Sequence, residues 1–501
     1  MRLFVFGIGG TGSKVLTSFV MQLAAGAELK DHNGKLYDAV VPIMVDPHAD
    51  CDGLKKLNDL LTRYRKIRKS IYGDSTERRG GFFSTKIETL ADINTEKGLS
   101  DSFIFNLKEV SQSTFKNFIG YAGMDEVNKA MTAMLYDESE LANDMKEGFY
   151  GSPNIGSVAL NEFSKSKDFE AFAEVFNSDD RIFFIGSIFG GTGAAGLPLF
   201  VSSIRDSAVH EQINLASAPI GALVVMPYFS IATDSSENSE AAKQIKEAEW
   251  IIKTRSALDY YKANLYDKIN NTYYISDPVG TTPFVNDPGN VDNQKGNKTH
   301  IVEFIGASAI FNFAQSSNID YSAVEVANSM FYHYGLNTSN KHVTFNILAE
   351  ETKELLQKPM MKFHLLKVFM ENSLSSELSK PFATQVEPKI TDAIIKSLDV
   401  KEFFKAYDKW TKEMNDHGDT AHNLHLFADD ITEDYQNLFN DISVKKGIFG
   451  KKNAKRKDFV EMLNNNRDKI TNAQSMEQRW YQMANLALDE FISDKYELSI
   501  K

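Results

Sequence analysis

Short apolar runs alternate with stretches of helical period along the first 330 residues. Arg2–Phe6 is a brief apolar run that ends in glycines, and Ser13–Ala25 then places Val15, Phe19, Val20 and Leu23 at helical spacing. Tyr37–Val45 is a second apolar, β-branched run ending at Asp46, followed by an amphipathic basic helix over Leu54–Lys69. Gly73–Phe83 reads as a loop broken by Gly80-Gly81. Helices are expected over Glu126–Met145, Val158–Phe176, Gly196–Ser207, Ser239–Lys262 and Thr299–Gln315, with strands over Arg181–Ser187, Ile220–Met226 and Thr272–Ser276. Strands alternating with helices predict an α/β fold, a Rossmann-like parallel sheet covered on both faces, with ligands at the carboxyl ends of the strands.

The pattern then changes. Val343–Leu348 is the last strand-like run. Leu355–Lys380, Ile390–Asn415, Asp429–Lys445 and Phe459–Lys495 read as helices. The expected division is a nucleotide-binding domain with a central helix over 1–330 and a mainly α-helical domain over 331–501. Two uncharged stretches, Ile182–Ile204 and Ile213–Thr233, have the length of membrane spans, but Gly and Pro interrupt both, so they read as buried strands and turns. The N-terminus lacks the long apolar core of a signal peptide.

The chain has 501 residues, 55 basic and 68 acidic side chains and a formal charge of −13. That balance speaks against non-specific nucleic-acid binding, and no specific nucleic acid is indicated. The lone cysteine, Cys51, forms no intramolecular disulfide, which fits a cytoplasmic protein. No residues pair at metal-ligand spacing, and His48 between Asp46 and Asp50 reads as polar lining. Lys445–Lys457 carries seven basic residues and no acidic one around Ile448-Phe449. It is a solvated loop or a contact for an acidic or membrane-surface partner.

The chemistry concentrates in glycine loops. Gly7-Ile8-Gly9-Gly10-Thr11-Gly12 lies between a strand and a helix, where backbone amides and the helix N-terminus favour an anion. It matches the dinucleotide pattern, yet the acidic residue ending the next strand, Asp46, lies farther along than the usual ~20 residues. It is no Walker A loop, because Ser13 separates Gly12 from Lys14. A second loop, Gly190-Gly191-Thr192-Gly193, repeats the arrangement, and Gly151-Ser152-Pro153-Asn154 precedes another helix. Two such loops suit one polyphosphate gripped from two sides. A Rossmann-type NAD(P) enzyme is the alternative, but it leaves the second and third loops without a role.

In order and spacing these segments resemble the tubulin/FtsZ superfamily. FGIGGTGSK is similar to its first phosphate loop, VDPHAD to the following acidic segment, GSPNIG to the third loop and GSIFGGTGAAG to the signature loop. VVMPYF and YYISDP, with Asp277, resemble the strand ends flanking ribose and base. His300–Gln315 stands for the central helix, and Asn318-Ile319-Asp320 for the catalytic loop. The resemblance implies GTP or GDP, with Mg²⁺, held by Gly9, Gly10, Thr11, Gly12, Asp46, Gly151, Ser152, Pro153, Asn154, Gly190, Gly191, Thr192, Gly193 and Asp277. It also implies head-to-tail self-assembly into filaments, with Asp320 of one subunit over the nucleotide of the next. Lys14 replaces the usual Asn, Ala194-Ala195 replace Ser/Thr-Gly, and Ala323 replaces the second catalytic carboxylate. Slow hydrolysis, or a nucleotide-bound scaffold that does not hydrolyse, follows from Ala323.

Overall fold

Six parallel strands form the centre of the molecule: β1 (Arg2–Ile8), β2 (Ala39–Val45), β3 (Arg181–Ser187), β4 (Ile220–Val225), β5 (Asn271–Ser276) and β6 (Met330–Gly335), in the spatial order β2-β1-β3-β4-β5-β6. The computed structural model describes all residues except 49–50, 75–79, 108–109, 111–112, 150–151, 208–212, 229, 232–246, 278–284, 287–297, 318–325, 327, 336–340, 373, 375–396, 418–421, 429–434, 448–449, 452 and 499–501. β1 aligns Val5 with Pro42 on one side and with Phe183 on the other. β2, β3 and β4 are buried along their whole length, which is why they read as continuous apolar runs rather than alternating ones.

Two cores follow from the two faces. Leu3, Val5, Phe183 and Leu223 point to one side. There they meet α1 (Gly9–Ala24), α2 (Asp52–Tyr72) and the central helix α8 (Ile301–Gln315). Phe4, Phe6, Phe184 and Val224 point to the other. The elements there are α4 (Pro153–Ala159), α5 (Lys167–Val175), α6 (Gly191–Asp206) and α7 (Glu247–Asn264), with α3 (Glu126–Leu135) at the periphery. The result is a doubly covered, Rossmann-like α/β sheet.

The C-terminal helices α9 (Glu350–Asn372), α10 (Leu398–Asn415), α11 (Arg456–Asn466) and α12 (Met476–Lys495) continue the first core. Phe83 is the junction: its ring lies 5.7 Å from Phe363, 5.0 Å from Phe403 and 6.3 Å from Tyr481. Trp410 of α10 packs 5.8 Å from Phe304 and donates its indole N–H to Ser18 Oγ at 3.0 Å.

The elements differ from expectation in several places: Glu126–Met145 is a helix only as far as Leu135, and Phe459–Lys495 is split between α11 and α12. β6 extends the sheet beyond residue 330, the boundary expected for the nucleotide-binding domain. Tyr332 sits opposite Tyr273 and stacks on it at 4.8 Å, a cross-strand pair that holds this edge. Val158–Phe176 is broken: a 3-10 turn over Leu160–Lys165 ends at Ser166, whose hydroxyl accepts from Phe169 N at 3.2 Å and starts α5. Of the strand expected over Val343–Leu348 only Val343 pairs, as part of His342–Val343 against Asn423–Leu424. The described part of Asp429–Lys445 is a 3-10 turn at Tyr435–Asn437 and then bridges, with Asp441 in the left-handed region at φ 57°.

α9 carries a titration switch. His364 is stacked on Phe427 at 3.9 Å, and burial, with Lys367 second, pushes its imidazole down to about 3. Below its ordinary 6.5 the unfolded chain binds a proton that the folded chain refuses. Stability therefore falls as pH drops from 6.5 toward 3, by up to about 1.4 kcal/mol per unit. His364→Phe keeps the stack and removes the proton site. Its denaturant midpoint is expected to decline less steeply than wild type between pH 6.5 and 4.

Candidate nucleotide site

β1 passes through α1 to β2 on one side, whereas β3 lies on the other side of β1. The carboxyl ends of β1 and β3 therefore bound the crevice where strand order reverses, the place where open α/β sheets bind ligands. Both glycine loops stand there. α1 starts at Gly9 on one face and α6 at Gly191 on the other, so two helix N-termini flank the crevice.

Neither terminus is closed by its own sequence. Ile8 and Gly190 occupy the cap positions without a side-chain hydrogen bond, and neither first turn holds an acidic residue. The first amides of both helices lack intrahelical acceptors, and the helix dipoles add positive potential. The loops also touch. Gly9 adopts φ +71°, and a Cβ there would lie 3.5 Å from both Gly193 N and Thr192 Cβ, and 4.0 Å from Asp46 Oδ2. The ends of β1, β2 and β3 thus converge on one point.

The third loop joins them through α4. A Cβ on Gly156 would fall 2.8 Å from Ala195 Cβ and 3.1 Å from Gly191 O, so only glycine lets α4 approach α6 so closely. Ser152 and Pro153 lie at the start of α4, and Asn154 donates to Glu140 Oε1 at 2.9 Å. Gly151 lies outside the described residues, as do Asp50 and the segment with Asp320, Ala323 and Glu325.

Asp46 is part-exposed beside this crevice. Burial pushes its carboxyl up, against the N–H of His48, which reaches Oδ1 at 2.9 Å. A carboxylate beside bare phosphate is repulsive, but it suits a sugar hydroxyl or a hydrated Mg²⁺ that keeps most of its waters. The residues present therefore fit a phosphate group with a metal ion or ribose near Asp46. Among the described residues, no group of three or more His, Cys, Asp or Glu is placed to hold a metal by itself.

Asp277, which the resemblance places at the strand end flanking the ribose and base, is enclosed between two imidazoles. It is 2% exposed, and its Oδ1 meets His422 Nδ1 at 2.5 Å while Oδ2 lies 3.3 Å from His300 Nε2. Burial raises its carboxyl, but His300 and His422 outweigh that and hold it below the ordinary value. His300 caps α8: its Nδ1 accepts from Val302 N at 3.2 Å, so the proton sits on Nε2, facing Asp277. Its backbone N–H donates to Glu303 Oε2 at 3.2 Å.

Glu303 is fully buried. Tyr228 donates to its Oε1 at 3.0 Å, and Lys14 Nζ lies 3.5 Å away. Burial pushes the Glu303 carboxyl up, with Lys14 opposing. His417 donates Nε2–H to Thr299 O at 2.8 Å, and burial, followed by His300, pushes its imidazole down to about 4. The Thr299 hydroxyl donates to Glu413 Oε2 at 2.9 Å.

A continuous polar network therefore runs from Lys14 in α1, past the start of α8, to His417 and His422 after α10. It ties the first glycine helix to the C-terminal region. His300 and Glu303 carry a local capping signal in the sequence, but their partners Lys14, Tyr228, Asp277 and His417 come from other elements, and no local pattern announces them. No protein-family model matches this chain, and no curated protein matches it at a significant level.

Proposed function

We propose that this chain is a nucleotide-binding protein of the tubulin/FtsZ kind, with GTP as its ligand and Mg²⁺ beside it. The observation that carries the reading is the meeting of two uncapped glycine-rich helix N-termini, Gly9–Gly12 and Gly190–Gly193, at the switch point of the sheet. Amides from both helices grip the phosphates, Ser152 and Pro153 close the third side, and Asp46 faces the ribose or the metal ion. Asp277 acts indirectly: it holds His300 and with it the start of the central helix.

In this reading subunits assemble head to tail, a heterologous contact that propagates into filaments. Asp320 of one subunit faces the terminal phosphate of the next. Ala323 leaves the second carboxylate position empty of a proton acceptor, a loss typically costing about 10²–10⁴-fold in rate. Hydrolysis is accordingly slow, and Ala323 equally favours a nucleotide-bound scaffold that does not turn over.

Electron microscopy with and without GTP·Mg²⁺ tests assembly: nucleotide-dependent filaments are expected. Phosphate release that rises with protein concentration and falls in Asp320→Ala would identify the GTPase form. Filaments without phosphate release would identify the scaffold. Indifference to nucleotide in both assays would contradict the proposal.

A further inference from the structure

Helix α3, Glu126–Leu135, is packed the wrong way round for a surface helix. Its apolar residues Val127, Met131, Met134 and Leu135 fall on one face at helical spacing, and they are 70%, 57%, 86% and 68% exposed. The side turned inward carries Lys129 and Thr132, whose hydroxyl donates to Asn128 O at 2.8 Å. No residue of this helix is buried. The stripe is held outward by a firm base: Asp125 accepts from Asn128 N at 2.8 Å, and Tyr136 packs 4.9 Å from Phe115. An amphipathic helix fixed with its apolar stripe in water marks a contact surface. Its rim is acidic, with Asp125, Glu126, Asp137 and Glu138 all exposed.

The chain contains a complementary element. Lys446–Gly447 and Gly450–Lys451 pair as an antiparallel hairpin. It opens the stretch Lys445–Lys457, with seven basic residues, no acidic one, and Ile448-Phe449 as its only large apolar side chains. Lys446 and Lys457 are exposed. The two elements lie on opposite faces of the sheet. Phe115 and Leu141 beside α3 belong to one core, whereas Val444, Ala454 and Phe459 beside the hairpin belong to the other. A chain therefore cannot bring its own hairpin onto its own α3.

We propose that the α3 stripe is the docking surface for the basic hairpin of a second copy of this chain. Each copy then offers one α3 and one hairpin on opposite faces. The contact is heterologous and repeats side by side. It needs no nucleotide and stands apart from the nucleotide reading above.

Sedimentation velocity of the full chain without nucleotide tests it. Wild type is expected to self-associate with concentration at low salt, and to revert to monomer near 1 M NaCl, where the screening length is about 3 Å. Met131→Asp with Met134→Asp is expected to remain monomeric, and so is Lys446→Glu with Lys457→Glu. Adding Glu126→Lys and Glu138→Lys to the lysine variant is expected to restore association. All six positions are exposed, and circular dichroism checks that each variant is folded. A wild type that is monomeric throughout would overturn the proposal. So would association that survives the methionine changes. Association lost in the methionine variant but kept in the lysine variant would also overturn it, and would indicate α3 against α3. Pelleting with acidic vesicles without self-association would instead assign the hairpin to a membrane.

Discussion

Gly10→Asp is expected to abolish triphosphate binding while leaving the fold as stable as before. A Cβ at Gly10 meets nothing within 4 Å, so the substitution has room. Gly10 lies in the first turn of α1, which holds no acidic residue. A carboxylate there is favoured by the helix dipole by about 0.3–1 kcal/mol. The same carboxylate stands in the mouth of the proposed phosphate site. Two like charges about 4 Å apart at an effective dielectric near 20 repel by roughly 4 kcal/mol, close to three orders of magnitude in affinity. Calorimetric titration of GTP·Mg²⁺ should show a loss of at least ~100-fold, with an unchanged or slightly raised unfolding midpoint. Gly12 would be a poor probe, because its Cβ would come within 2.5 Å of Gly7 C and disturb the loop itself.

Arg181→Leu is expected to be among the most destabilising single changes in the molecule. Arg181 is 0% exposed at the start of β3. Its Nη1 donates to Phe313 O at 2.8 Å, Ala314 O at 3.0 Å and Ser316 O at 3.3 Å. These are the terminal carbonyls of the central helix and the residue after it. One guanidinium thus closes the C-terminus of α8 from within the sheet, where its charge also complements the helix dipole. Leucine fills part of the volume but leaves buried acceptors unpaired at about 1–3 kcal/mol each. Tyr37 still donates to Ala314 O at 3.1 Å, which limits the damage. A total loss of roughly 3–5 kcal/mol in urea unfolding is expected. A loss below about 1 kcal/mol would mean that water or another donor already serves these carbonyls.

The sheet was legible because its inner strands are buried on both faces, which writes itself into the sequence as uninterrupted runs such as Ile182–Ile185. The glycine loops were legible for a related reason: Gly9 and Gly156 stand where backbone must approach backbone. The edge strand β6 was not, because Met330 and Phe331 are 42% and 47% exposed, and its placement depends on Tyr273 and Tyr266, more than fifty residues away. Asp277 illustrates the same limit at the site. The resemblance makes it a ligand contact, and only the approach of His422 from beyond α10 shows that its oxygens are engaged by two buried imidazoles. Local period and turn chemistry report local structure, whereas this network is assembled from three distant segments. Gly and Pro interrupt both uncharged stretches of membrane-span length, and among the described residues no helix is long and apolar enough to cross a membrane.

In the proposed function the two glycine helices jointly hold a nucleoside triphosphate. Isothermal calorimetry of the purified wild-type chain with GTP and Mg²⁺ tests it most directly, with ATP and NADH titrated alongside. Saturable binding of GTP at one site per chain is expected, and none of NADH. Absence of any triphosphate binding by a folded sample, or NADH binding in its place, would contradict it.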